Sequence, residues 1–164
     1  FRDERDAALE SYQKALGLYS EIGAKLGEAN VLQAIGDVQQ FRDERDAALE
    51  SYQKALGLYS EIGDRLGEAN TLQSMGKLAI QNAKDQEGFQ EGMKILQTAM
   101  GIYEEIEDKV GQINILMFLV QIMAAMGENE KAAEIANQVL PMLVEVAGEN
   151  HPVTEAFRGF IAQL

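Results

Sequence analysis

FRDERDAALESYQKALGLYSEIG, residues 1–23, returns unchanged as residues 41–63, and 31 of the 40 positions in the frame 1–40 agree with 41–80. A period of 40 residues therefore organises the chain before any single motif does. Identity this high exceeds what stacking requires and points to a recent duplication or an engineered copy. Within one unit, Ala48, Tyr52, Ala55, Tyr59 and Ile62 step by 4, 3, 4 and 3, the spacing of one helix face. Leu32, Ile35, Gly36 and Gln39 do the same on the preceding segment, and the small residues Gly36 and Ala48 let the two helices approach closely. The unit reads as a helical hairpin turned at Arg42-Asp43-Glu44. The next junction is Ile62-Gly63-Asp64-Arg65, with Gly63 as a C-cap and Asp64 as an N-cap.

Weaker copies follow. Leu72, Met75, Gly76 and Ala79 repeat the first-helix face, and Gly92, Leu96 and Ala99 repeat the second. Their separation is four residues longer, so the polar stretch QNAKDQEG, 81–88, reads as a lengthened turn or extended helix ends. A third copy runs through Leu116, Leu119, Val120 and Met123 to Ala132, Ala136 and Val139. Gly148-Glu149-Asn150-His151-Pro152 opens a last helix, with Pro152 suited to a first helical turn and His151 to a cap or the surface. The expected layout is one repeat domain: a second helix without its partner at 1–25, repeats at 26–65, 66–109 and 110–150, and a capping helix at 151–164. The chain begins as if truncated at the end of a first helix.

Of 164 residues, 46% are hydrophobic, enough for a core of ordinary size. Fourteen Lys and Arg against 27 Asp and Glu give a net charge of −13, spread over every segment. That field repels phosphate backbones and anionic lipid surfaces, so neither nucleic acid nor membrane is expected as a partner. No long uncharged apolar run is present, and the charged opening is unlike a signal peptide, so a soluble, cytoplasmic protein is expected. The absence of cysteine and the single histidine leave no thiolate metal site, no cysteine nucleophile and no site built on two histidines. The chain also lacks a glycine-rich phosphate loop and a nucleophile elbow. No cofactor and no enzymatic activity are expected.

The columns L-x-x-I-G-x-x-Q followed by A-x-x-x-Y-x-x-A resemble the tetratricopeptide repeats, and the resemblance covers essentially the whole chain. The 40-residue period looks like the long-helix variety found in bacterial arrays and polarity adaptors, whose first-helix start is similar to LGEAN at 26–30 and 66–70. The resemblance implies an all-α, right-handed solenoid of antiparallel hairpins with seven to eight helices. It also implies a concave groove, lined by the first helix of each unit, that takes an extended peptide.

On that helix Asn30, Gln33 and Asp37 fall at i, i+3 and i+7, on the face away from Leu32 and Ile35. Their equivalents are Asn70, Gln73 and Lys77, then Asn114, Met117 and Gln121. The amides of this row suit the backbone of an extended segment. The carboxylate clamp of chaperone-binding relatives needs several basic residues, and here only Lys77 is basic, so a basic or neutral ligand is expected. Residues 113–126, INILMFLVQIMAAM, are apolar nearly all round and so expected to be covered by neighbouring helices. An open groove at Met117, Phe118 and Gln121 would instead mark an apolar partner site. Gly17, Gly57, Gly101 and Pro141 share one second-helix column, where close packing by the next hairpin is expected. The acidic clusters Asp3-Glu4-Asp6, Asp43-Glu44-Asp46 and Glu104-Glu105-Glu107-Asp108 lack calcium-loop spacing and read as solvated faces.

The leading functional expectation is a non-catalytic protein- or peptide-binding scaffold. The alternatives are a self-assembling module, through the α-helical face Ala8, Tyr12, Ala15 and Tyr19, and a peptide-sensing regulatory domain.

Overall fold

In the computed structural model, residues 2–164 are described, with side chains from Asp6 onward. Asp3 and Glu4 of the first acidic cluster lie outside the described side chains. The described residues form eight helices and no strand: α1 (Arg2–Glu21), α2 (Lys25–Phe41), α3 (Arg45–Ile62), α4 (Arg65–Gln81), α5 (Gln86–Glu105), α6 (Lys109–Ala125), α7 (Asn129–Ala147) and α8 (Pro152–Ile161). The all-α class and the helical hairpins follow the sequence reading. They divide into two compact units, Phe1–Ile102 and Tyr103–Leu164.

The turns form where the sequence supplies the chemistry. Gly63 ends α3 in the left-handed conformation, with φ of 72°, and Asp64 Oδ1 caps α4 by accepting from Gly67 N at 2.9 Å. Asp108 does the same for α6, accepting from Val110 N and Gly111 N at 3.0 and 3.2 Å. His151 Nδ1 accepts from Val153 N at 3.3 Å with Pro152 at the first helical position, so the lone histidine is an N-cap. Of the four extra residues, three lengthen the start of α5 and one lengthens the turn, 82–85 against 42–44. The acidic cluster at 43–46 is paired locally, Asp43 with Arg45 and Glu44 with Arg42.

In the first unit the core lies between successive helices. Tyr52, Ala48 and Ala55 of α3 are fully buried, and Tyr59 is 2% exposed. Partners pair antiparallel: Tyr59 reaches Asn30 while Tyr52 reaches Asp37. Glycines make room for the large residues. A Cβ on Gly36 would stand 2.6 Å from the Tyr52 ring, and one on Gly67 would stand 2.3 Å from Tyr59. Gly76 likewise seats Leu96. In the second unit the apolar face of α6 packs Ile113 and Val120 on Ala132, Ala136, Val139 and Leu143 of α7, closed by Phe157 of α8. At the position of Gly36 and Tyr52 this unit carries Val120 and Ala136, both fully buried, so the large residue has moved to the other helix.

The second-helix glycine column does not pack closely. Nothing lies within 4 Å of where a Cβ would stand on Gly17, Gly57 or Gly101, and all three are exposed. The column is on the outward side of its helices, a third to a half turn away from the tyrosine face. Replacing Gly57 and Gly101 by Ala should stabilise the chain by about 1 kcal/mol each, because only helix propensity changes. Urea unfolding of the double variant checks this, and a loss of stability would mean that the column carries a bend α3 and α5 depend on.

Candidate functional site

The α2 row of the first unit is held from beneath by the tyrosines of α3. Tyr59, seated against Gly67, donates its hydroxyl to Asn30 Oδ1 at 2.6 Å, with Gln33 Oε1 at 3.1 Å from the same oxygen. Thr71 of α4 adds a contact to Gln33 Oε1 at 3.3 Å. Tyr52 donates to Asp37 Oδ1 at 2.7 Å, with Gln40 Oε1 at 3.0 Å from the same oxygen. Asn30 is exposed, while Gln33, Asp37 and Gln40 are half-buried. The row therefore does not stand free in solvent as a plain amphipathic reading has it: its carbonyl and carboxylate oxygens are tied to core hydroxyls, and the NH₂ groups of Asn30 and Gln33 are left as donors.

Burial pushes the Tyr59 phenol up to about 12, with the charges of Asp64 and Asp37 adding to it. Burial and the Asp37 carboxylate push Tyr52 up as well. Both hydroxyls thus stay protonated donors through the physiological range. Burial also raises the Asp37 carboxyl, which the Tyr52 hydrogen bond partly offsets.

On α4, Asn70, Gln73 and Lys77 are half-buried, and burial lowers the Lys77 ammonium. Among the described residues Gln73 Oε1 is buried with no hydrogen-bond donor, an unmet acceptor that costs on the order of 1–3 kcal/mol. Between the C-terminal ends of α2 and α4 lies a cleft of about 480 Å³, bounded by Asp37, Gln40 and Phe41, by Arg45, and by Gln81 and Asn82. Of these, only Asp37 was marked by the sequence row. Gln40 and Gln81 belong to the same helix faces, and the tyrosine hydroxyls are legible as two large polar-tipped residues seven apart on the facing helix.

The second unit presents a different surface. Asn114 and Gln121 are exposed, Met117 is half-buried, and Phe118 is 8% exposed and belongs to the core. Met117 and Gln121 line an apolar cleft of about 270 Å³ with Val153, Ala156, Phe157 and Phe160 of α8, and Phe118 does not line it. On α1, Ala8, Tyr12 and Ala15 are half-buried and Tyr19 is 38% exposed, whereas the identical residues of α3 are buried. Among the described residues, no helix is long and apolar enough to cross a membrane.

A search of curated proteins finds no match to the chain. Residues 1–61 match the family model of the tetratricopeptide repeat. Over those 61 of 164 residues, and in the antiparallel helical hairpins with paired small and large columns that continue beyond them, the chain is similar to the tetratricopeptide repeats, a family whose repeats generally mediate protein–protein interaction.

Proposed function

We propose that the chain is a non-catalytic scaffold whose first unit docks an extended protein segment on the polar face of α2 and α4. The observation that carries this reading is the pair of contacts from Tyr59 to Asn30 and Gln33. By donating to the Asn30 carbonyl, with the Gln33 carbonyl close to the same oxygen, the phenol favours an arrangement in which both amide oxygens face the core and the NH₂ groups are left for the backbone carbonyls of an extended segment. Groups held in place before binding lose little freedom on binding, so their hydrogen bonds are turned into affinity. Asn70, Gln73 and Lys77 extend the surface on α4. In the second unit Asn114, Met117 and Gln121 hold the corresponding positions on α6, where the cleft beside α8 favours an apolar side chain.

A displayed library of random peptides panned on the whole chain tests the proposal. Peptides it selects should bind the Asn30→Ala/Gln33→Ala variant about tenfold more weakly, the loss of two neutral hydrogen bonds. Undiminished binding to that variant would remove the assignment of the site.

A further inference from the structure

The cleft at the C-terminal ends of α2 and α4 carries a charge pattern that a backbone-binding row does not require. Its lining contains three charged side chains, Asp37, Asp43 and Arg45. Two of them satisfy each other: Arg45 Nε donates to Asp43 Oδ1 at 2.8 Å. Among the described residues Asp37 has no such cation. The hydrogen bond it receives there comes from the neutral hydroxyl of Tyr52, at Oδ1, and burial raises its pKa, which that hydrogen bond partly offsets. A half-buried carboxylate in that position loses hydration and recovers only part of it from a phenol.

The surroundings match one kind of complement. Leu78, 3% exposed, contributes apolar wall, and the amides of Gln40, Gln81 and Asn82 surround the opening with carbonyl acceptors. Gln40 Nε2 stands 3.5 Å from Gln81 Oε1, a long contact that leaves room for a better donor. Phe41 lies at the rim with 74% of its surface exposed, a flat apolar face beside an anionic floor. An ammonium offers a compact charge to such a site. A guanidinium offers five donors in a plane, pairs with a carboxylate and stacks on a ring, so it uses more of what the cleft presents.

We infer that the α2/α4 cleft is a cation pocket in which Asp37, the neighbouring amides and Phe41 receive an arginine side chain of the docking segment. This rests on the peptide-docking reading for its place in a longer ligand, and it supplies what that reading lacks, a side chain that the surface selects. The acidic surface of the chain, −13 overall, favours the approach of such a segment.

The test uses the tripeptide acetyl-Gly-Arg-Gly-amide and its citrulline counterpart, which keeps shape and hydrogen bonding and removes the charge. Each is titrated into the isotopically labelled whole chain while the Asp37 carboxyl and the Gln40, Gln81 and Asn82 side-chain amides are followed by NMR. The arginine peptide should shift these signals saturably and bind at least about tenfold more tightly than the citrulline peptide. Asp37→Asn, which keeps an acceptor for Tyr52, should bring the arginine peptide down to the citrulline level with an unchanged helical spectrum. Equal responses to the two peptides, or an arginine response that survives Asp37→Asn, would overturn the inference. Because the tripeptide reaches only the cleft, either of those results with an intact Asn30/Gln33 effect rejects the pocket and leaves the docking surface standing. Loss of the Asn30/Gln33 effect alone does the reverse.

Discussion

Tyr52→Ala should cost about 3–5 kcal/mol, the largest effect of any single truncation in the first unit. The side chain is fully buried, with its ring lying against the Cα of Gly36, so no neighbouring side chain fills the space it leaves. Removing it deletes the contacts of an aromatic ring and opens a cavity between α2, α3 and α4. It also takes the hydroxyl away from Asp37 and Gln40. Tyr52→Phe separates the two contributions. It keeps the ring and withdraws one hydroxyl from a half-buried carboxylate, for an expected loss of about 1.5–3 kcal/mol. Urea unfolding of both variants, followed by helical circular dichroism, measures the difference. A Tyr52→Ala variant within 1 kcal/mol of the parent would contradict the seating of the ring described above.

Gly67→Ala should cost about 1–3 kcal/mol although alanine is the better helix former. The new methyl would stand 2.3 Å from one ring carbon of Tyr59 and 2.5 Å from another, and the ring has nowhere to go. It is 2% exposed, and its hydroxyl is tethered to Asn30. The molecule contains its own control. Gly27 faces Tyr19 at 2.5 Å in the same geometry, but Tyr19 is 38% exposed and can swing into solvent. Gly27→Ala should therefore be near neutral where Gly67→Ala is not. In a Tyr59→Ala background the penalty of Gly67→Ala should vanish, giving a strong coupling between the two sites. Equal costs at Gly27 and Gly67 would show that steric seating of the tyrosine is not what selects glycine there.

The hairpins were legible because helix faces and caps are local chemistry. Ala48, Tyr52, Ala55 and Tyr59 mark a face by spacing alone, and Gly63-Asp64 writes its own turn. The seat that Gly67 gives Tyr59 was also within reach, since the tyrosine-to-glycine step of eight residues recurs as Tyr19–Gly27, Tyr59–Gly67 and Tyr103–Gly111. The outward glycine column was misjudged for a reason that angular arithmetic exposes: Gly57 is two residues past Ala55 and two short of Tyr59, which turns it well away from the buried face. The tie between the α2 row and the tyrosine hydroxyls was harder to foresee. A helical wheel assigns Asn30 and Asp37 to an outer face but says nothing of how far a phenol on the facing helix reaches. The cleft beside Asp37 depends on residues 40, 45, 81 and 82 meeting from three helices and a turn, which no linear spacing encodes.

The exchange at the hairpin centre limits how these repeats can be recombined. Gly36 with Tyr52, Gly76 with Leu96 and Val120 with Ala136 are three solutions to one packing problem, and each is complete only as a pair. A chimera joined inside a hairpin would set valine against tyrosine, or glycine against alanine, and would either overfill the seam or hollow it. A chimera joined at the glycine-aspartate junction between hairpins keeps each of these three pairs intact, and needs only a tyrosine before the join and a glycine eight residues later, as at Tyr59 and Gly67. The unit that can be copied, lost or grafted is thus the whole hairpin, whose boundary is set by volume matching and not by where the 40-residue frame happens to be counted from.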